Sequence, residues 1–431
     1  PDNYRLLTLI SHSKNVLLYI IQSRLESFLN HQISAEQAGF VKGRGTREQI
    51  LNLRQIIEKA REHYLPVYIC FVDYSKAFDN VKWDKLWKIL IEMGVPVHLV
   101  NLIASLYADN IAYVRIDGFL SSKCTTKKGV RQGCILSPLL FNIYSEFIMR
   151  LVLTNWRGGI SIGGKKFTNL RFADDTTLIA RSEFEILALL NNLEQKSKKY
   201  GLSINYHKTK VMIIDRENKN NNHPRLLNIG KCQVVSQFVY LGALIDNTGN
   251  CENEIRRRIQ LGRVAMVQLT KIWRDSNITR QTKISLVHSL VYSIFLYASE
   301  TWSLKLSDRR RIDAFEMWVW RRMLRIPWTA RRTNNSILDE LNIKTRLSSV
   351  VLSRILKFFG HIHRSDNMEK LIVQGQVSNP RKRGRSPTRW VDVTRKLINL
   401  NLCRVTDLSS NRDKWRTAVR KAISGLPYRY S

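Results

Sequence analysis

Apolar side chains recur at helical spacing near the start of the chain. Within residues 14–30 they include Leu17, Ile21, Leu25 and Phe28, steps of three or four residues that place them on one helix face. A second helical pattern covers about residues 47–63. The stretch between them, AGFVKGRGT, is rich in glycine and basic residues, so it is expected to be a loop.

The pattern changes to that of a strand after Pro66. Residues 67–74, VYICFVDY, are β-branched and aromatic, which is typical of a buried strand. Asp79 then stands where a helix N-cap is expected, ahead of a helical stripe that ends at Gly94. The sequence therefore predicts strand, turn and helix in succession.

Short strands and tight turns are predicted further along. The pair Ser137-Pro138 is a helix start, with Ser as N-cap and Pro at the first helical position. ISIGGKKFTNL and RFADDTTLIAR predict two hairpins with turns at GGK and at the two aspartates. Residues 184–200 are helical, and SINYHKTKVMII and QFVYLGALI predict further strands.

Helical spacing dominates residues 251–304. The longest uncharged stretch, 284–299, is interrupted by His288 and is shorter than the roughly 20 apolar residues that a bilayer requires. It is therefore expected to be a core helix, and no membrane partner is expected. Ser307 is expected to cap a helix that begins at Asp308.

Composition narrows the class of protein. The chain has 431 residues, 44% of them apolar, so it can bury two or three cores and is neither disordered nor a peptide hormone. Its net charge is +35, divided into +12 over residues 1–250 and +23 over residues 251–431. Such an excess indicates a polyanionic partner, because each phosphate neutralised by Lys or Arg releases counterions. The second part is the stronger candidate for binding nucleic acid.

The cysteines indicate the redox compartment, and the first residue indicates that the sequence is part of a longer chain. The six cysteines form no CxxC pair and no spacing typical of a disulfide scaffold or zinc ribbon, so a reducing compartment is expected. Pro1 stands where an initiator Met would, and the sequence is therefore expected to be an internal piece of a longer product.

Three carboxylates carry the candidate chemistry. Asp73 ends the predicted buried strand, and Asp174 and Asp175 share one tight turn. Taken singly, each is better explained by turn formation. Together, two carboxylates on one turn repel each other unless a cation lies between them, and hard oxygen ligands suit Mg²⁺. A third carboxylate from a neighbouring strand would complete a two-metal site for phosphoryl transfer.

Five motifs in order, FVDYSKAFD, GVRQGCILSPLLFN, LRFADD, GLSINYHKTK and FVYLG, resemble the successive palm motifs of a reverse transcriptase. The KAFD and FADD forms are similar to those of non-LTR, LINE-type retrotransposons. The tail segments DAFEMWVWRRMLRIPWTARRTNNSIL and FFGHIHR resemble the C-terminal region of RTE-like elements. The resemblance implies a polymerase that lacks the endonuclease domain usually preceding it in that branch.

The resemblance implies roles for the acidic residues. Asp73 and Asp174 would ligate two Mg²⁺ ions, with Mn²⁺ as a substitute, and Asp175 would lie close by as a further or orienting carboxylate. One ion would lower the pKa of the primer 3′-hydroxyl, and the other would hold the triphosphate. Lys208 matches the motif lysine that protonates departing pyrophosphate, and a solvated strand lysine is the alternative.

Other residues would contact the incoming nucleotide. Phe78, five residues after Asp73, would exclude a 2′-hydroxyl and so select dNTPs, and a core aromatic is the alternative. Gln132 and Gly133 match the RQG loop that packs against the nucleotide and the template base, where glycine permits close approach of the backbone. The remaining candidates for the triphosphate or the template are Arg5, Lys42 and Arg44.

The last motif and the basic tail would hold nucleic acid. FVYLG resembles the primer-grip hairpin. Trp interleaved with Arg can stack on unpaired bases, although helix core is the expected fate of most of these rings. The segment RKRGR is a nuclear-import patch, an RNA contact or a solvated loop. The candidates are Phe238, Tyr240, Leu241 and Gly242 for the primer, and Arg309, Arg310, Arg321, Arg322, Arg325, Arg381, Lys382 and Arg383 for nucleic acid.

The expected fold is α+β, a right-hand polymerase with an antiparallel palm sheet. Expected domains are partial fingers (1–66), palm with a fingers insertion (67–250), helical thumb (251–306) and a basic Trp- and Arg-rich region (307–431). The expected function is RNA-directed DNA polymerisation, with template RNA, a DNA primer or target DNA and dNTPs as partners, in the nucleus after cytoplasmic assembly on RNA. A catalytically silent fragment that binds RNA or DNA is the alternative. An RNA-dependent RNA polymerase is a more distant one, because Phe78 disfavours ribonucleotides.

Overall fold

The chain folds into two structural units that contain both helices and strands, as the α+β expectation requires. Unit 1 comprises residues 1–49 and 65–235, and unit 2 comprises residues 50–64 and 236–431. The finer division into fingers, palm, thumb and tail stays a prediction. The computed structural model describes residues 8, 10–108, 111–216, 227–377, 379 and 388–426, apart from the side chains of 112, 115, 116 and 328.

Unit 1 combines helices with a large sheet and short two-stranded ribbons. Its helices are α1 (His12–Leu29), the first residues of α2 (Thr46–Glu62), α3 (Trp83–Glu92), α4 (Val97–Tyr107), α5 (Ser137–Leu153) and α6 (Glu183–Lys199). Its strands are β1 (Val67–Val72), β2 (Ile111–Ala112), β3 (Arg115–Ile116), β4 (Phe119–Leu120), β5 (Cys124–Thr125), β6 (Ile160–Ile162), β7 (Lys165–Phe167), β8 (Asn169–Phe172), β9 (Asp175–Ala180), β10 (Lys210–Ile214), β11 (Asn228–Ile229) and β12 (Cys232–Val234).

Six strands form the main sheet in the order β11-β12-β10-β1-β9-β8. Strand β1 lies in the middle and is antiparallel to both β9 and β10. Five of its six residues are buried, which fits a β-branched and aromatic strand with neighbours on both sides. The predicted buried strand is therefore confirmed, and it ends at Val72, one residue before Asp73.

Helices cover one face of this sheet through a common hydrophobic core. Leu25 of α1, Leu90 of α3, Phe141 of α5 and Leu189 of α6 are fully buried in the same cluster as Cys70 of β1. The helix predicted over residues 14–30 is present. Its buried side contains the predicted Ile21 and Leu25 together with Leu18 and Leu29, whereas Leu17 is exposed.

Unit 2 is mostly helical. A π-helical turn, Val287–Tyr292, joins two of its helices. Its strands are β13 (Gln237–Tyr240) and β14 (Ala243–Asp246). Its helices, besides most of α2, are α7 (Glu252–Gln268), α8 (Thr270–Arg274), α9 (Arg280–Leu286), α10 (Ser293–Phe295), α11 (Leu306–Met323), α12 (Asn334–Glu340), α13 (Leu347–Arg364), α14 (Met368–Gln374), α15 (Trp390–Ile398), α16 (Leu402–Ser410) and α17 (Arg412–Ser424).

Tryptophan rings fill the core of unit 2. The indole N–H groups of Trp390 and Trp415 donate to the carbonyl oxygens of Glu300 and Leu356, at 2.9 and 3.0 Å. A buried indole usually finds such a partner, because its N–H otherwise loses its hydrogen bond to water. The core position expected for most tryptophans is confirmed for Trp273, Trp302, Trp320, Trp390 and Trp415.

Ser137 is the first residue of α5 rather than its N-cap, which is Leu136, and two further predicted helix starts are wrong. Asp79 lies inside a 3-10 turn, Phe78–Asn80, and α3 begins only at Trp83. Helix α11 begins at Leu306 rather than after Ser307, because the carboxylate of Asp308 accepts the backbone N–H of Lys305 at 3.2 Å. In both places the first turn of helix is set by groups that the residue pattern does not distinguish.

The uncharged stretch 284–299 is helical but not a single regular helix. It contains part of α9, the π-helical turn and α10, and it buries Val287, Val291, Tyr292 and Phe295. The expectation of a helical core segment is confirmed. Across the described ranges, no helix is both long enough and apolar enough to pass through a bilayer.

Candidate active site

Asp73 directly follows β1 at one end of the main sheet. In the antiparallel pairing of β1 with β9, Val72 lies opposite Thr176, so the next position, Asp73, faces Asp175. Neighbouring strands lie about 4.8 Å apart. Asp73 is half-buried and Asp175 is exposed. The structure thus brings two of the predicted acidic residues to adjacent positions on neighbouring strands.

The turn between β8 and β9 carries the third acidic residue. Phe172 pairs with Asp175, which leaves Ala173 and Asp174 as a two-residue hairpin loop. Ala173 has a φ of 55°, a conformation that a residue with a Cβ rarely adopts. Asp73, Asp174 and Asp175 therefore share the same end of the sheet.

Gln37 braces this turn from the loop that precedes α2. Its side chain is fully buried, and its Oε1 accepts hydrogen bonds from the N–H groups of Ala173 and Gly39, both at 2.9 Å. Beside it, the N–H of Ala38 donates to the carbonyl oxygen of Arg171 on β8 at 2.9 Å. These bonds hold Ala173 in its disfavoured conformation and so fix the position of the turn.

A buried ion pair lies beneath the same hairpin. Arg171 of β8 is 1% exposed, and its Nη2 lies 2.8 Å from Glu146 of α5. Its guanidinium also donates to Ser34 Oγ at 2.5 Å and to Asn169 Oδ1 at 3.0 Å. A buried charge is tolerated when it is paired and hydrogen-bonded in this way. The hairpin is therefore joined to α5 as well as to the loop of Gln37.

Lys208 lies in the turn that leads into β10 and is exposed. The hydroxyl of the next residue, Thr209, accepts the backbone N–H of Asp73 at 3.2 Å. The carbonyl oxygen of Asp73 in turn accepts the N–H of Asn205 at 2.8 Å. The backbone of Asp73 is thus bonded to the segment that carries Lys208, and the two residues belong to the same end of the sheet.

Phe78 lies five residues beyond Asp73 in the 3-10 turn. Its ring is half-buried and stacks on the fully buried ring of Phe141, with centroids 4.4 Å apart and planes 15° apart. This contact fixes one face of the Phe78 ring against α5. The position agrees both with a sugar-selecting ring and with a core aromatic at the edge of the site.

Gln132 and Gly133 form a turn before α5. The carbonyl oxygen of Gln132 accepts the N–H of Thr8 at 2.8 Å, and its side-chain Nε2 lies 3.5 Å from Asp79 Oδ1. Gly133 is exposed and has a φ of 95°. The loop therefore offers backbone at the surface of unit 1, and its contact with a nucleotide stays a prediction.

Arg44 is hydrogen-bonded to the loop that contains Gln37. Its Nη1 donates to the carbonyl oxygens of Ser34 and Gln37, both at 2.7 Å. The guanidinium thus organises the loop, and its contact with a nucleotide stays a prediction. Lys42 is exposed, and Arg5 lies outside the described residues.

The FVYLG motif forms a hairpin in unit 2. Strands β13 and β14 are joined by Leu241 and Gly242, whose φ values are 46° and 78°. Positive φ at both positions defines a type I′ turn, which glycine adopts freely and leucine does not. The hydroxyl of Tyr297 donates to the carbonyl oxygen of Leu241 at 2.7 Å, and Arg257 and Arg258 donate to that of Gly242.

Two cations flank one indole on the surface of unit 2. The guanidinium carbons of Arg322 and of Arg263 lie 5.6 and 5.4 Å from the ring centroid of Trp318. Arg321 instead donates to the carbonyl oxygen of Arg332 at 2.7 Å. Nucleic-acid binding by these residues stays a prediction. Arg309 is half-buried, Arg310 and Arg325 are exposed, and Arg381, Lys382 and Arg383 lie outside the described residues.

The donor set at the sheet end consists of carboxylate oxygens, which Mg²⁺ and Mn²⁺ prefer. Within the described ranges, no three His, Cys, Asp or Glu side chains already converge to hold a metal ion. Asp73, Asp174 and Asp175 fit a divalent cation by their chemistry and by their place on neighbouring strands.

Two residues at this site carried no expectation from the sequence. Gln37 looks like an ordinary loop residue, and its role depends on contact with a turn more than a hundred residues away. Arg171 offered a signal, because a cation inside an apolar strand pattern requires a buried partner. The sequence alone could not identify Glu146 as that partner.

Comparison with known proteins gives a family match and several relatives. Residues 1–245 match the family described as reverse transcriptase (RNA-dependent DNA polymerase). The chain is 27% identical over 275 residues to a putative uncharacterized transposon-derived protein of Caenorhabditis elegans, covering 60% of this chain and 98% of that protein. It is 29% identical over 211 residues to the Pol polyprotein from the type-1 retrotransposable element R2 of Popillia japonica, covering 48% of this chain and 29% of that one.

Longer relatives and solved structures resemble the chain more loosely. It is 24% identical to the probable RNA-directed DNA polymerase from transposon X-element of Drosophila melanogaster, covering 79% of this chain and 38% of that one. The chain therefore spans less than half the length of these larger relatives. The apo telomerase of Candida tropicalis matches with a TM-score of 0.42 and 12% identity, covering 85% of this chain and 61% of that one. At that TM-score the likeness adds nothing to the assignment of the site.

Proposed function

Because this chain belongs to the reverse transcriptase family and is related to the proteins of non-LTR retrotransposons, we propose that it adds dNTPs to a DNA 3′-end on an RNA template. One observation carries the proposal more than any other. The strand register puts Asp73 opposite Asp175 at the start of β9, next to Asp174 in the β8–β9 turn, and carboxylates gathered at one sheet end suit the divalent cations of in-line phosphoryl transfer.

In this proposal Asp73 and Asp174 supply oxygen ligands to two Mg²⁺ ions, or to Mn²⁺ in their place. Asp175 is a further or orienting carboxylate at the same edge. Bound cations at this position would activate the primer hydroxyl and stabilise the departing pyrophosphate. The chain's own contribution is to hold its carboxylates rigidly, through the Gln37 bonds and the buried pair of Arg171 with Glu146.

Lys208 is the proposed proton donor to pyrophosphate. An ammonium beside a carboxylate edge would meet the negative charge that develops on the leaving group. The bond of Asp73 to Thr209 supports this role, because it fixes the residue next to Lys208 at the sheet end.

Phe78 is the proposed residue that selects the sugar. A half-buried ring backed by Phe141 is stiff, and a stiff ring excludes a 2′-hydroxyl by steric contact. Gln132 and Gly133 are proposed to pack against the nucleotide. Arg44 and Arg5 are the remaining proposed nucleotide contacts.

Unit 2 is proposed to hold the nucleic acid that is being copied. The hairpin of Leu241 and Gly242 is the proposed primer grip, and the basic helices after Cys251 are the proposed thumb. Template RNA, a DNA primer and target DNA are the proposed partners, with nuclear action after assembly on RNA in the cytoplasm. The excess of +23 over residues 251–431 supports a phosphate-rich partner.

Primer extension tests the proposal directly. The 431-residue chain is given a DNA primer on an RNA template, dNTPs and Mg²⁺, and extension is followed on a denaturing gel. We expect Asp73→Asn and Asp174→Asn to lower extension by about a thousandfold or more, because several kcal/mol of transition-state stabilisation are lost. Asp84→Asn removes an exposed carboxylate of α3 in the same unit and should extend normally. A chain that binds the hybrid but extends no primer would instead be a binding module.

A further inference from the structure

Helix α17 carries a row of exposed arginines along one flank. Arg412, Arg416 and Arg420 recur every four residues, so they lie on one side of the helix about 6 Å apart. The buried stripe of the same helix, Trp415 and Val419, lies next to this row. The row therefore emerges beside the surface where α17 packs on the rest of unit 2.

The end of α13 brings a further arginine to the same place. Helices α13 and α17 pack antiparallel, since Trp415 donates to Leu356 while Arg364, two turns further along α13, donates to the carbonyl oxygen of Ser409 at 2.8 Å. Arg364 is itself exposed. It lies close enough to Arg412 and Arg416, the first two arginines of the row, to feel their charges.

The three guanidinium groups Arg364, Arg412 and Arg416, here called the arginine strip, repel one another. The pKa of Arg364 is lowered, first by partial burial and then by the charges of Arg412 and Arg416. Among the described residues, no carboxylate forms an ion pair with Arg364 or Arg412. Arg416 pairs with Asp413 at 3.6 Å, and that carboxylate is 89% exposed.

Other arginines of unit 2 are arranged differently. Arg346 lies 2.7 Å from the buried Glu316, and Arg258 lies 2.7 Å from the buried Glu254. Arg412 is moreover the first residue of α17, where the positive end of the helix dipole disfavours a cation. Repulsion within the arginine strip therefore destabilises the folded state at this place. A bound anion would offset this repulsion.

From this arrangement we infer that Arg364, Arg412 and Arg416 form a binding site for the phosphodiester backbone of a nucleic acid, outside the residues that match the reverse transcriptase family. Guanidinium groups bind phosphate oxygens in a fork geometry, and spaced cations along a helix can follow successive phosphates. The three side chains of the arginine strip offer charge and no hydrogen-bond acceptor. The site is therefore expected to bind without regard to sequence.

This inference deepens the proposed nucleic-acid binding of unit 2 and rests on that part of the proposed function, but it does not depend on polymerisation. The strip belongs to unit 2, whereas Asp73 and the aspartate turn belong to unit 1. A chain that never extends a primer can still bind nucleic acid at the strip. Equally, a chain without the strip can keep its catalytic carboxylates.

A charge-matched pair of variants tests the site in the full chain. Arg412→Gln with Arg416→Gln removes two charges from the strip, and Lys414→Gln with Lys421→Gln removes two exposed charges from the opposite side of the same helix. Binding is measured by fluorescence anisotropy of a labelled RNA duplex and a labelled DNA duplex over a series of salt concentrations. Comparison of these two probes shows whether the strip binds the backbone of RNA, of DNA or of both.

We expect the strip variant to bind at least one of the probes roughly tenfold more weakly, with the slope of log affinity against log salt shallower by about two. The lysine variant should remain within about twofold of the unchanged chain. Thermal unfolding supplies a second readout. The strip variant should be as stable as the unchanged chain or more so, because it loses repulsion.

Two results would overturn the inference. One is equal loss of affinity in the strip variant and the lysine variant, which would mean that only overall charge matters. The other is unchanged nucleic-acid binding in the strip variant with a loss of binding to phosphatidylserine vesicles, which would assign the strip to a membrane surface instead. Primer extension by the strip variant at saturating hybrid is recorded alongside, so that failure of the polymerase proposal is seen separately.

Discussion

The side-chain oxygen of Gln37 lies 2.9 Å from the backbone nitrogen of Ala173, so a single buried amide joins the loop before α2 to the turn that carries Asp174. The same oxygen accepts the N–H of Gly39 at 2.9 Å. An acceptor that serves two buried donors cannot be removed without leaving both unsatisfied. The position of the turn formed by Ala173 and Asp174 therefore depends on a residue outside that turn.

We predict that Gln37→Ala lowers the rate of primer extension about tenfold to a hundredfold, because the turn loses its brace and Asp174 is misplaced. Binding of the RNA–DNA hybrid should be unchanged, so the loss appears in kcat. Gln49→Ala is the matched control, since Gln49 is equally buried and donates to the carbonyl oxygens of Glu36 and Arg171, whereas the N–H of Ala173 is bonded to Gln37. Equal loss of kcat in both variants would assign Gln37 to stability alone.

We predict that breaking the buried ion pair below the hairpin destabilises unit 1. Arg171→Met or Glu146→Met leaves one charge buried without its partner, which typically lowers the free energy of unfolding by about 3–5 kcal/mol. The double variant should lose less than the sum of the two, because no charge is then left alone. Denaturant unfolding of all three variants measures this coupling, and additive losses would contradict it.

We predict that Phe78→Ala raises the use of rNTPs relative to dNTPs by roughly tenfold to a hundredfold. The ring is held by Phe141 at 4.4 Å, and its removal opens the space that a 2′-hydroxyl would need. The ratio of kcat/KM for the two nucleotide classes is the measurement. Trp87→Phe, a change to a half-buried ring of α3, should leave that ratio unchanged. An unaltered ratio in an active Phe78→Ala enzyme would make Phe78 a core residue only.

Glu58 makes unit 2 sensitive to pH. Burial of its carboxyl group raises its pKa from 4.5 to about 7, although the backbone N–H of Trp390 donates to it at 2.9 Å. Because the folded state holds this proton more tightly than the unfolded state, its contribution to stability is fully present below about pH 4.5 and is lost as the pH rises to about 7.

We therefore predict that Glu58→Gln reduces the decline in thermal midpoint over this interval and stabilises the chain above about pH 7 by at most about 3 kcal/mol. Glutamine keeps a carbonyl oxygen for Trp390 and carries no charge. Asp407→Asn removes an exposed carboxylate of the same unit and should leave the pH dependence of the thermal midpoint unchanged. A Glu58→Gln profile parallel to the original would show that other groups cause the decline.

Much of the sheet end could be predicted from the sequence. The buried strand before Asp73 and the hairpin around Asp174 have local signatures, namely β-branched runs and a tight turn. The resemblance to reverse transcriptases then supplied the reason for these residues to meet, and the family match confirms that recognition. The assigned roles of the individual side chains remain predictions.

The rest depends on contacts that local patterns do not encode. The helix Val97–Tyr107 was not predicted, and the start of α11 was missed because Asp308 reaches back to the backbone of Lys305. The tryptophans of the tail show the same limit. Spacing alone could not tell a ring that packs, such as Trp390, from one that lies beside cations, such as Trp318.

Gly360 controls the orientation of α17 about its own axis. A Cβ at this position of α13 would overlap the indole of Trp415, so the two helices can approach as they do only because the side chain is absent. With Trp415 seated there, Arg412 and Arg416 are turned toward Arg364. A methyl group added at residue 360 would overlap this indole and would also lie 2.9 Å from Nη1 of Arg364, so it would displace α17 and disturb the arginine strip together.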